Sequence, residues 1–390
     1  PNRLRYPVIY EPKRRYIRLM ATYNWQKKDW PEFTYSLQGM EGSLYAIAEK
    51  VGRTTGKWEA MPENMQQEAF ITMMVSEAIK TSAIEGEFLS RSDVLSSVRN
   101  NLGLHRDTER IKDRRAACIA ELMIDVRNTW SAPLTSDKLF DWHRMLFGKQ
   151  PYMLVGTWRT HNEPIQVVSG ALGKEIVHFE APPSSKVPAQ MEAFLQWFNA
   201  TSPETASDIK HAPVRSAIAH LYFESIHPFE DGNGRIGRAI AEKALAQGMG
   251  RPVFLSLSSA IESQKRAYYE ALKQAQRSNE ITPWLAYFVD MILRAQDMAE
   301  DLVDFTLQKA RYFDLHKDQL NERQRKVVSR MLEEGPDGFK GGMNAKKYGH
   351  MTRVSKATAT RDLQHLVEIG AIRKRGDAGG RSTRYELNLG

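Results

Sequence analysis

The sequence predicts a mainly α-helical protein with one β-hairpin and a small basic domain at its C-terminal end. Apolar residues recur every three or four positions along most of the 390 residues, which is typical of helices that pack on a core. Between 164 and 183 the pattern changes to two short β-branched runs around Ser169-Gly170 and Gly173, followed by two prolines, which indicates a hairpin. Residues 318–390 hold 15 Lys and Arg against 9 Asp and Glu, and so supply +6 of the net charge of +8.

Capping residues give the predicted limits of several helices. An apolar face runs through 62–84, and a helix begins at Thr135 or Ser136 and stops at Gly148. Two further helices are predicted from the segments VPAQMEAFLQWFNA and ITPWLAYFVDMILRAQDM. An amphipathic helix over 213–226 is followed by a second one over 235–247, which we expect to stop at Gly248.

Composition excludes several classes of protein. The single cysteine, Cys118, rules out an internal disulfide framework and indicates a reducing compartment. It lies in a helical stretch, where we expect a buried small apolar residue rather than a nucleophile. No apolar run approaches the ~20 residues that a membrane helix needs, and the basic start lacks the apolar region of a signal peptide. These features predict a cytoplasmic protein without a membrane span.

The stretch HPFEDGNGRIGR, from His227 to Arg238, contains the spacing G-x-G-x-x-G of a dinucleotide-binding turn. That turn must follow a strand and precede an acidic residue by about 20 positions. Here a helix precedes the glycines, and the downstream segment FLSLSS has no carboxylate. The dinucleotide interpretation therefore fails on context.

The residue types suggest a different phosphate site. The turn Gly232-Asn233-Gly234 opens a helix, whose unpaired N–H groups and positive dipole end attract anions. Arg235 and Arg238 share a face of that helix and suit an oligophosphate. Asp231 is placed to hold Mg²⁺ by one carboxylate, and His227 can accept a proton from a hydroxyl near pH 7. We expect Phe229 and Ile236 to face the core.

The twelve residues closely resemble the signature of the Fic family, H-x-F-x-[DE]-G-N-G-R-x-x-R, at every specified position. The likeness extends over roughly 134–291, and it implies a Fic-type helical core that transfers a nucleoside monophosphate, most often AMP from ATP, to a protein hydroxyl. By this resemblance His227 deprotonates a Ser, Thr or Tyr, Asp231 binds Mg²⁺, and one tyrosine of the adjacent pair flanks the base. The nucleotide-binding residues that it implies are Asp231, Gly232, Asn233, Gly234, Arg235, Ile236, Gly237, Arg238, Tyr268 and Tyr269.

The hairpin and an upstream motif gain roles from the same resemblance. The hairpin, at 177–180 or its partner run, would be a flap that aligns the target backbone by strand addition, rather than a mere edge ribbon. The segment TSAIEGEF resembles the family's inhibitory motif, [ST]-x-x-x-E-[GN], with Thr81, Glu85 and Gly86 at its fixed positions. We expect Glu85 to pair with Arg238 and so block the γ-phosphate. The aromatic residues of the segment that begins WQKKDWPEF serve either docking or packing.

The C-terminal segment predicts three helices and two short strands, the order of a winged helix-turn-helix domain, which the stretch resembles. Its long helix, capped by Ser355 and closed by Gly370, would enter the major groove of duplex DNA, although such domains also bind proteins. The candidate DNA contacts are Ser355, Lys356, Thr358, Thr360 and Arg361 on the helix, and Arg373, Lys374, Arg375, Arg381 and Arg384 on the wing.

Four segments are therefore predicted. They are an N-terminal helical extension with the inhibitory motif (1–105), a Fic catalytic core (106–300), a helical linker (301–317) and a winged helix-turn-helix domain (318–390). The predicted activity is autoinhibited transfer of AMP from ATP, with Mg²⁺, to a protein that can be the enzyme itself. The alternatives are a DNA-binding regulator whose core senses nucleotide, use of another nucleotide, and removal of AMP. The sequence leaves the target and a homodimer open.

Overall fold

The computed structural model describes residues 22–104, 111–148, 150, 152–169, 176–336, 338–339, 341–375 and 383–389. The chain divides into two compact units, one formed by the segment up to Thr55 with Phe70–Met298, the other by Gly56–Ala69 with Ala299–Gly390. The four segments expected from the sequence stay a prediction, because this division is coarser. The described residues form fourteen α-helices and four short strands, given below, so the protein is mainly helical.

The helices that precede the C-terminal segment are α1 to α11. They span Glu41–Glu59, Glu63–Ile84, Arg91–Asn101, Arg114–Asn128, Ser136–Phe147, Val187–Ala200, Ala212–Ile226, Asn233–Met249, Leu257–Ser263, Lys265–Ala275 and Thr282–His316. Thr135 caps α5 by accepting a hydrogen bond from the backbone N–H of Lys138, as the sequence predicts. In the described part of the chain, no helix has the length and apolar character that a membrane crossing requires.

Helices α7 and α8 form the centre of the first unit. Every residue of α7 is buried, and glycines let α8 approach it closely: a Cβ at Gly237 would lie 2.4 Å from Glu224 Oε1. The predicted stop of α8 at Gly248 is wrong, since the helix continues to Met249 and ends at Gly250, whose φ is +68°. Gly248 lies inside the helix because a Cβ there would be 2.4 Å from Ala212 Cβ. Its small size serves helix packing.

The predicted hairpin is present. Strands β1 (Gln166–Ser169) and β2 (Ile176–Glu180) pair antiparallel, with Val167 opposite Phe179 and a register irregularity after Val167. The predicted turn around Gly170 and Gly173 falls outside the described residues. At the end of β2, Trp25 Nε1 donates a hydrogen bond to the backbone carbonyl of Glu180. N-terminal aromatic residues therefore pack in this unit, as Trp30 also does against Tyr222.

In the second unit, helices α12 (Glu322–Leu332), α13 (Ala345–Thr352) and α14 (Lys356–Glu368) precede strands β3 (Ile372–Lys374) and β4 (Tyr385–Leu387). Side chains of Asn321, Asn344 and Ser355 cap the three helices. The strands pair antiparallel. The order of elements is the predicted one, whereas the assignment as a winged helix-turn-helix domain stays a prediction. Arg381, a predicted wing contact, lies outside the described residues.

Candidate active site

The loop between α7 and α8 is held in a strained, tightly bonded turn. His227 ends α7 in the left-handed region, with φ 52° and ψ 61°, and Gly232 precedes α8 at φ +83°. The Asn233 side chain accepts from the backbone N–H of Phe229 and donates to its carbonyl, at 2.9 and 2.8 Å. Asn233 therefore shapes the loop with its side chain, and only its backbone N–H is left for the predicted phosphate role.

The first turn of α8 is the predicted anion site, because its leading N–H groups have no partner within the helix. Gly234 lies in that turn, and a Cβ added to it would be 2.3 Å from Glu85 Oε1 and 3.1 Å from Arg238 Nη1. The absence of a side chain at Gly234 thus lets a carboxylate oxygen rest against the start of the helix. Glu85 occupies the position where an anionic ligand would be expected.

Arg238 is bound to two of the three fixed positions of the upstream motif, Thr81 and Glu85. Its Nη2 donates to Glu85 Oε1 at 2.8 Å and to the Thr81 carbonyl at 3.0 Å, while Nε donates to Thr81 Oγ1 at 2.8 Å. Only 2% of the Arg238 side chain is exposed. Burial raises the pKa of Glu85, but the charges of Arg238 and Arg235 outweigh burial and lower it overall. Both side chains are therefore charged, and the ion pair between Glu85 and Arg238 is formed.

Arg235 is paired in the same way, by an acid that sequence reasoning missed. Its Nη1 lies 3.1 Å from Glu87 Oε2, and its guanidinium lies 5.0 Å from the centre of the Phe147 ring. Glu87 follows Glu85 by two residues in the segment EGE, and that second acid was the available signal. Both arginines of the signature thus have carboxylate partners from one short segment after α2.

Asp231 differs from these buried groups because 58% of its side chain is exposed. Its Oδ1 accepts from the backbone N–H of Gly232 at 2.5 Å. A cleft of about 470 Å³ opens beside Asp231 and Arg235. Among the described residues, no cluster of three or more His, Cys, Asp and Glu could hold a metal alone. One exposed carboxylate still fits Mg²⁺, which is usually held by one or two carboxylates together with substrate phosphates.

His227 is held by its backbone, and its ring is largely buried. The backbone carbonyl accepts from Arg159 Nε at 2.8 Å, and 16% of the side chain remains exposed. Burial, with the nearby charge of Arg159, lowers the pKa of His227 to about 4. The imidazole is therefore neutral near pH 7 and has a lone pair that can accept a proton.

The two tyrosines of α10 lie in different environments. Tyr268 is buried, and its hydroxyl lies 2.7 Å from His220 Nε2. Tyr269 is partly exposed, and its hydroxyl donates to the Ile84 carbonyl at 3.4 Å. Lys265, from the same helix, also donates to the Ile84 carbonyl and so binds the end of α2. Tyr269 is thus the one of the pair with a surface that a base could contact.

Comparison with known proteins agrees with this geometry. Residues 133–245 match the model of the Fic/DOC family. The chain carries a Fic/DOC domain. A separate model, described as a domain of unknown function (DUF4172), matches residues 23–104, the region that contains Glu85. The structure is similar to that of a Fic family protein from Desulfovibrio desulfuricans G20, with a TM-score of 0.54, 20% identity and coverage of 92% of this chain and 98% of that one.

Curated relatives of the Fic domain cover less of the chain. "Protein adenylyltransferase Fic" of Nematostella vectensis is 27% identical over 158 residues, which are 40% of this chain and 32% of that protein. The protein of the same name from Drosophila melanogaster is 30% identical over 108 residues, 28% of this chain and 20% of the relative. The chain thus spans only about a third and a fifth of the length of these relatives.

Within the Fic signature, the structure brings together the groups with charged or polar chemistry. Around the loop that begins at His227 lie the N-terminus of α8 and the side chains of Asp231, Arg235 and Arg238. Ile236 is fully buried and Gly237 lies against Glu224 and His220, so the contribution of these two residues to nucleotide binding stays a prediction. Sequence reasoning missed Glu224, although the single acid of α7, three residues before His227, was a visible signal.

Proposed function

We propose that the protein is an autoinhibited adenylyltransferase that moves AMP from ATP to a Ser, Thr or Tyr hydroxyl of a protein, itself included. The proposal is supported by the complete signature from His227 to Arg238 and by the relatives' name, protein adenylyltransferase. The observation that carries it is the convergence of a neutral histidine, an exposed carboxylate and two buried arginines on the start of α8. We also propose a cytoplasmic location.

The chemistry assigns one task to each group. His227 accepts the proton of the hydroxyl, whose oxygen attacks the α-phosphorus of ATP and displaces pyrophosphate. The N–H groups at the start of α8 and the guanidinium of Arg235 bind the negative phosphate oxygens. Mg²⁺ held by Asp231 would neutralise charge on the phosphates. Arg238 binds the terminal phosphate when its guanidinium is not paired with Glu85.

In the described state Glu85 opposes productive ATP binding. Its carboxylate neutralises Arg238 and lies against Gly234, so a γ-phosphate would meet a negative charge rather than a free guanidinium. A buried Arg–carboxylate pair is costly to break because each partner would be left buried without its counter-charge. Basal transfer should therefore be slow.

The role of Arg238 predicts a difference between nucleotides. In a Glu85→Gly background, Arg238→Ala should weaken the affinity for ATP by tenfold or more and the affinity for AMP much less. The reason is the loss of a charged hydrogen bond to the terminal phosphate, which is worth about 1.5–3 kcal/mol. Isothermal titration calorimetry with both nucleotides measures this, with Arg266→Ala, on an exposed residue of α10, as the matched control. Equal losses for ATP and AMP would remove Arg238 from the terminal phosphate.

The basic C-terminal segment supports a second candidate function, binding of duplex DNA. Exposed cations lie on the first two turns of α14 and on or directly after β3: Lys356, Arg361, Arg373, Lys374 and Arg375. Phosphate contacts by such cations make affinity fall steeply with salt. In fluorescence anisotropy, the full chain should bind duplex DNA at low salt, and Lys356→Ala with Arg361→Ala should weaken it. No binding of the wild type at low salt would favour a protein partner for this segment.

A further inference from the structure

Two buried polar atoms near the base of the proposed reaction have no side-chain hydrogen-bond partner. Glu224 and His227 lie three residues apart at the end of α7, with Glu224 Oε2 3.7 Å from His227 Nδ1. In the part of the chain that the structure describes, Glu224 Oε1 and His227 Nδ1 are buried without a side-chain hydrogen-bond partner, although the His227 ring also interacts with the backbone carbonyl of Glu224. Buried polar groups are nearly always hydrogen-bonded, so an orphaned pair of this kind requires an explanation.

The fold makes room for the Glu224 carboxyl at a specific place. Only 7% of its side chain is exposed. Its Oε1 would be 2.4 Å from a Cβ at Gly237, so the glycine of α8 is what allows the carboxyl to lie between the two helices. A buried carboxyl oxygen without a hydrogen-bond partner costs stability. The other oxygen of the same carboxyl lies 3.7 Å from the histidine of the Fic signature.

The chemistry of a histidine base explains the pairing. A neutral imidazole carries its hydrogen on one nitrogen and its lone pair on the other. Nδ1 is the buried nitrogen, so the 16% of the side chain that is exposed does not include it. The base must therefore act through Nε2, which has a lone pair only if the hydrogen is on Nδ1. That tautomer needs a hydrogen-bond acceptor beside Nδ1.

We propose that Glu224 is the positioning residue of His227: its carboxyl accepts the Nδ1 hydrogen and so keeps the Nε2 lone pair available to the incoming hydroxyl. The inference rests on the proposed transferase function for its purpose, but not for its geometry. In the step itself the hydroxyl proton passes to Nε2, the oxygen–phosphorus bond forms, and the bond to pyrophosphate breaks. Glu224 contacts none of the reacting atoms and acts through the imidazole, whose positive charge it stabilises.

The ionisation of Glu224 gives this arrangement a dependence on pH. Burial raises the pKa of Glu224 to about 8, while the charge of Arg238 opposes the rise and that of Glu85 adds to it. Below that pKa the carboxyl is neutral and accepts through its carbonyl oxygen; above it the carboxylate stabilises the imidazolium more strongly. Transfer should rise with pH between about 7 and 9. The titratable and charged groups that face Glu224 or its partner are Arg238 on α8, Glu85 after α2, Tyr268 on α10, His220 on α7, and Arg159.

The tautomer of His227 tests the proposal without any substrate. Nitrogen NMR of the full chain, labelled with ¹⁵N-histidine and assigned by comparison with His227→Gln, reports which nitrogen carries the hydrogen. In the wild type we expect the hydrogen on Nδ1, and in Glu224→Met we expect a shift toward the Nε2–H form. Methionine has a similar volume, and replacing an unpaired polar group by an apolar one leaves no new orphan. A wild-type His227 with its hydrogen on Nε2 would overturn the proposal, and so would a Glu224→Met variant that keeps the hydrogen on Nδ1, since the backbone carbonyl of Glu224 would then be the acceptor.

Kinetics in the Glu85→Gly background supply the second readout. Glu224→Met should lower kcat at least tenfold and leave KM for ATP unchanged. Glu224→Gln, which keeps the shape but cannot ionise, should lose the rise between pH 7 and 9. The exposed Glu192→Gln on α6 is the matched control and should keep that rise. If Glu224→Met keeps the kcat of its parent, Glu224 does not position His227 and the proposal fails. Absence of transfer in every variant, with the NMR change present, would refute the proposed activity instead.

Discussion

Replacing Glu85 by glycine should raise AMP transfer about 30-fold or more. The change removes the carboxylate that binds Arg238 at 2.8 Å and lies against Gly234. Freeing an arginine worth ~2 kcal/mol or more corresponds to about 30-fold, at 1.36 kcal/mol per tenfold. Initial rates of label transfer at fixed ATP measure the activation. The double variant Glu85→Gly with Arg238→Ala should lose most of it, because the gain depends on that guanidinium.

A glycine after α2 could also act by loosening the helix end, since glycine favours non-helical backbone. Glu85→Gln separates the two causes. It removes the charge, keeps the length of the side chain and retains helix propensity, so the ion-pair explanation requires substantial activation. An inactive Glu85→Gln beside an active Glu85→Gly would show that steric or helix-end effects restrain the enzyme. Glu192→Gln, an exposed glutamate of α6, serves as the control.

Replacing His227 by alanine should abolish transfer and leave nucleotide affinity nearly unchanged. The imidazole is neutral near pH 7, and its proposed task is to take a proton rather than to bind phosphate charge. Loss of a general base costs 10²-fold to 10⁴-fold in typical enzymes. Single-turnover transfer and calorimetry with ATP, both in the Glu85→Gly background, measure the two effects separately. Transfer by His227→Ala at the rate of its parent would remove the histidine from the chemistry.

Much of the fold could be predicted because local rules decide it. Thr135 and Ser355 cap their helices through side-chain hydrogen bonds, and Asn321 does so with a capping box. These signals depend on neighbouring residues alone. Gly248 shows the limit of such rules, since it resembles a helix stop but serves the contact with Ala212 of α7. No pattern within α8 reveals that neighbour.

The same distinction between local and tertiary signals applies to the candidate active site. The charged residues from His227 to Arg238 form one contiguous motif, and their chemistry could be inferred from residue types and spacing. The contact of Arg238 with Glu85 joins residues 153 positions apart and was expected only through the family resemblance. Glu87 and Glu224 were missed because their importance depends on tertiary neighbours, Arg235 for one and His227 for the other. Burial and pairing of this kind are properties of the folded chain.

Label transfer from α-³²P-labelled ATP to protein, compared among wild type, His227→Ala and Glu85→Gly, tests both the proposed activity and its restraint by Glu85. We expect weak labelling by the wild type, strong labelling by Glu85→Gly and none by His227→Ala. The other labelled nucleoside triphosphates, run in parallel, test the choice of ATP. Labelling that is absent from Glu85→Gly with every nucleotide, on itself and on added protein extract, would contradict the assignment as a nucleotidyltransferase restrained by Glu85.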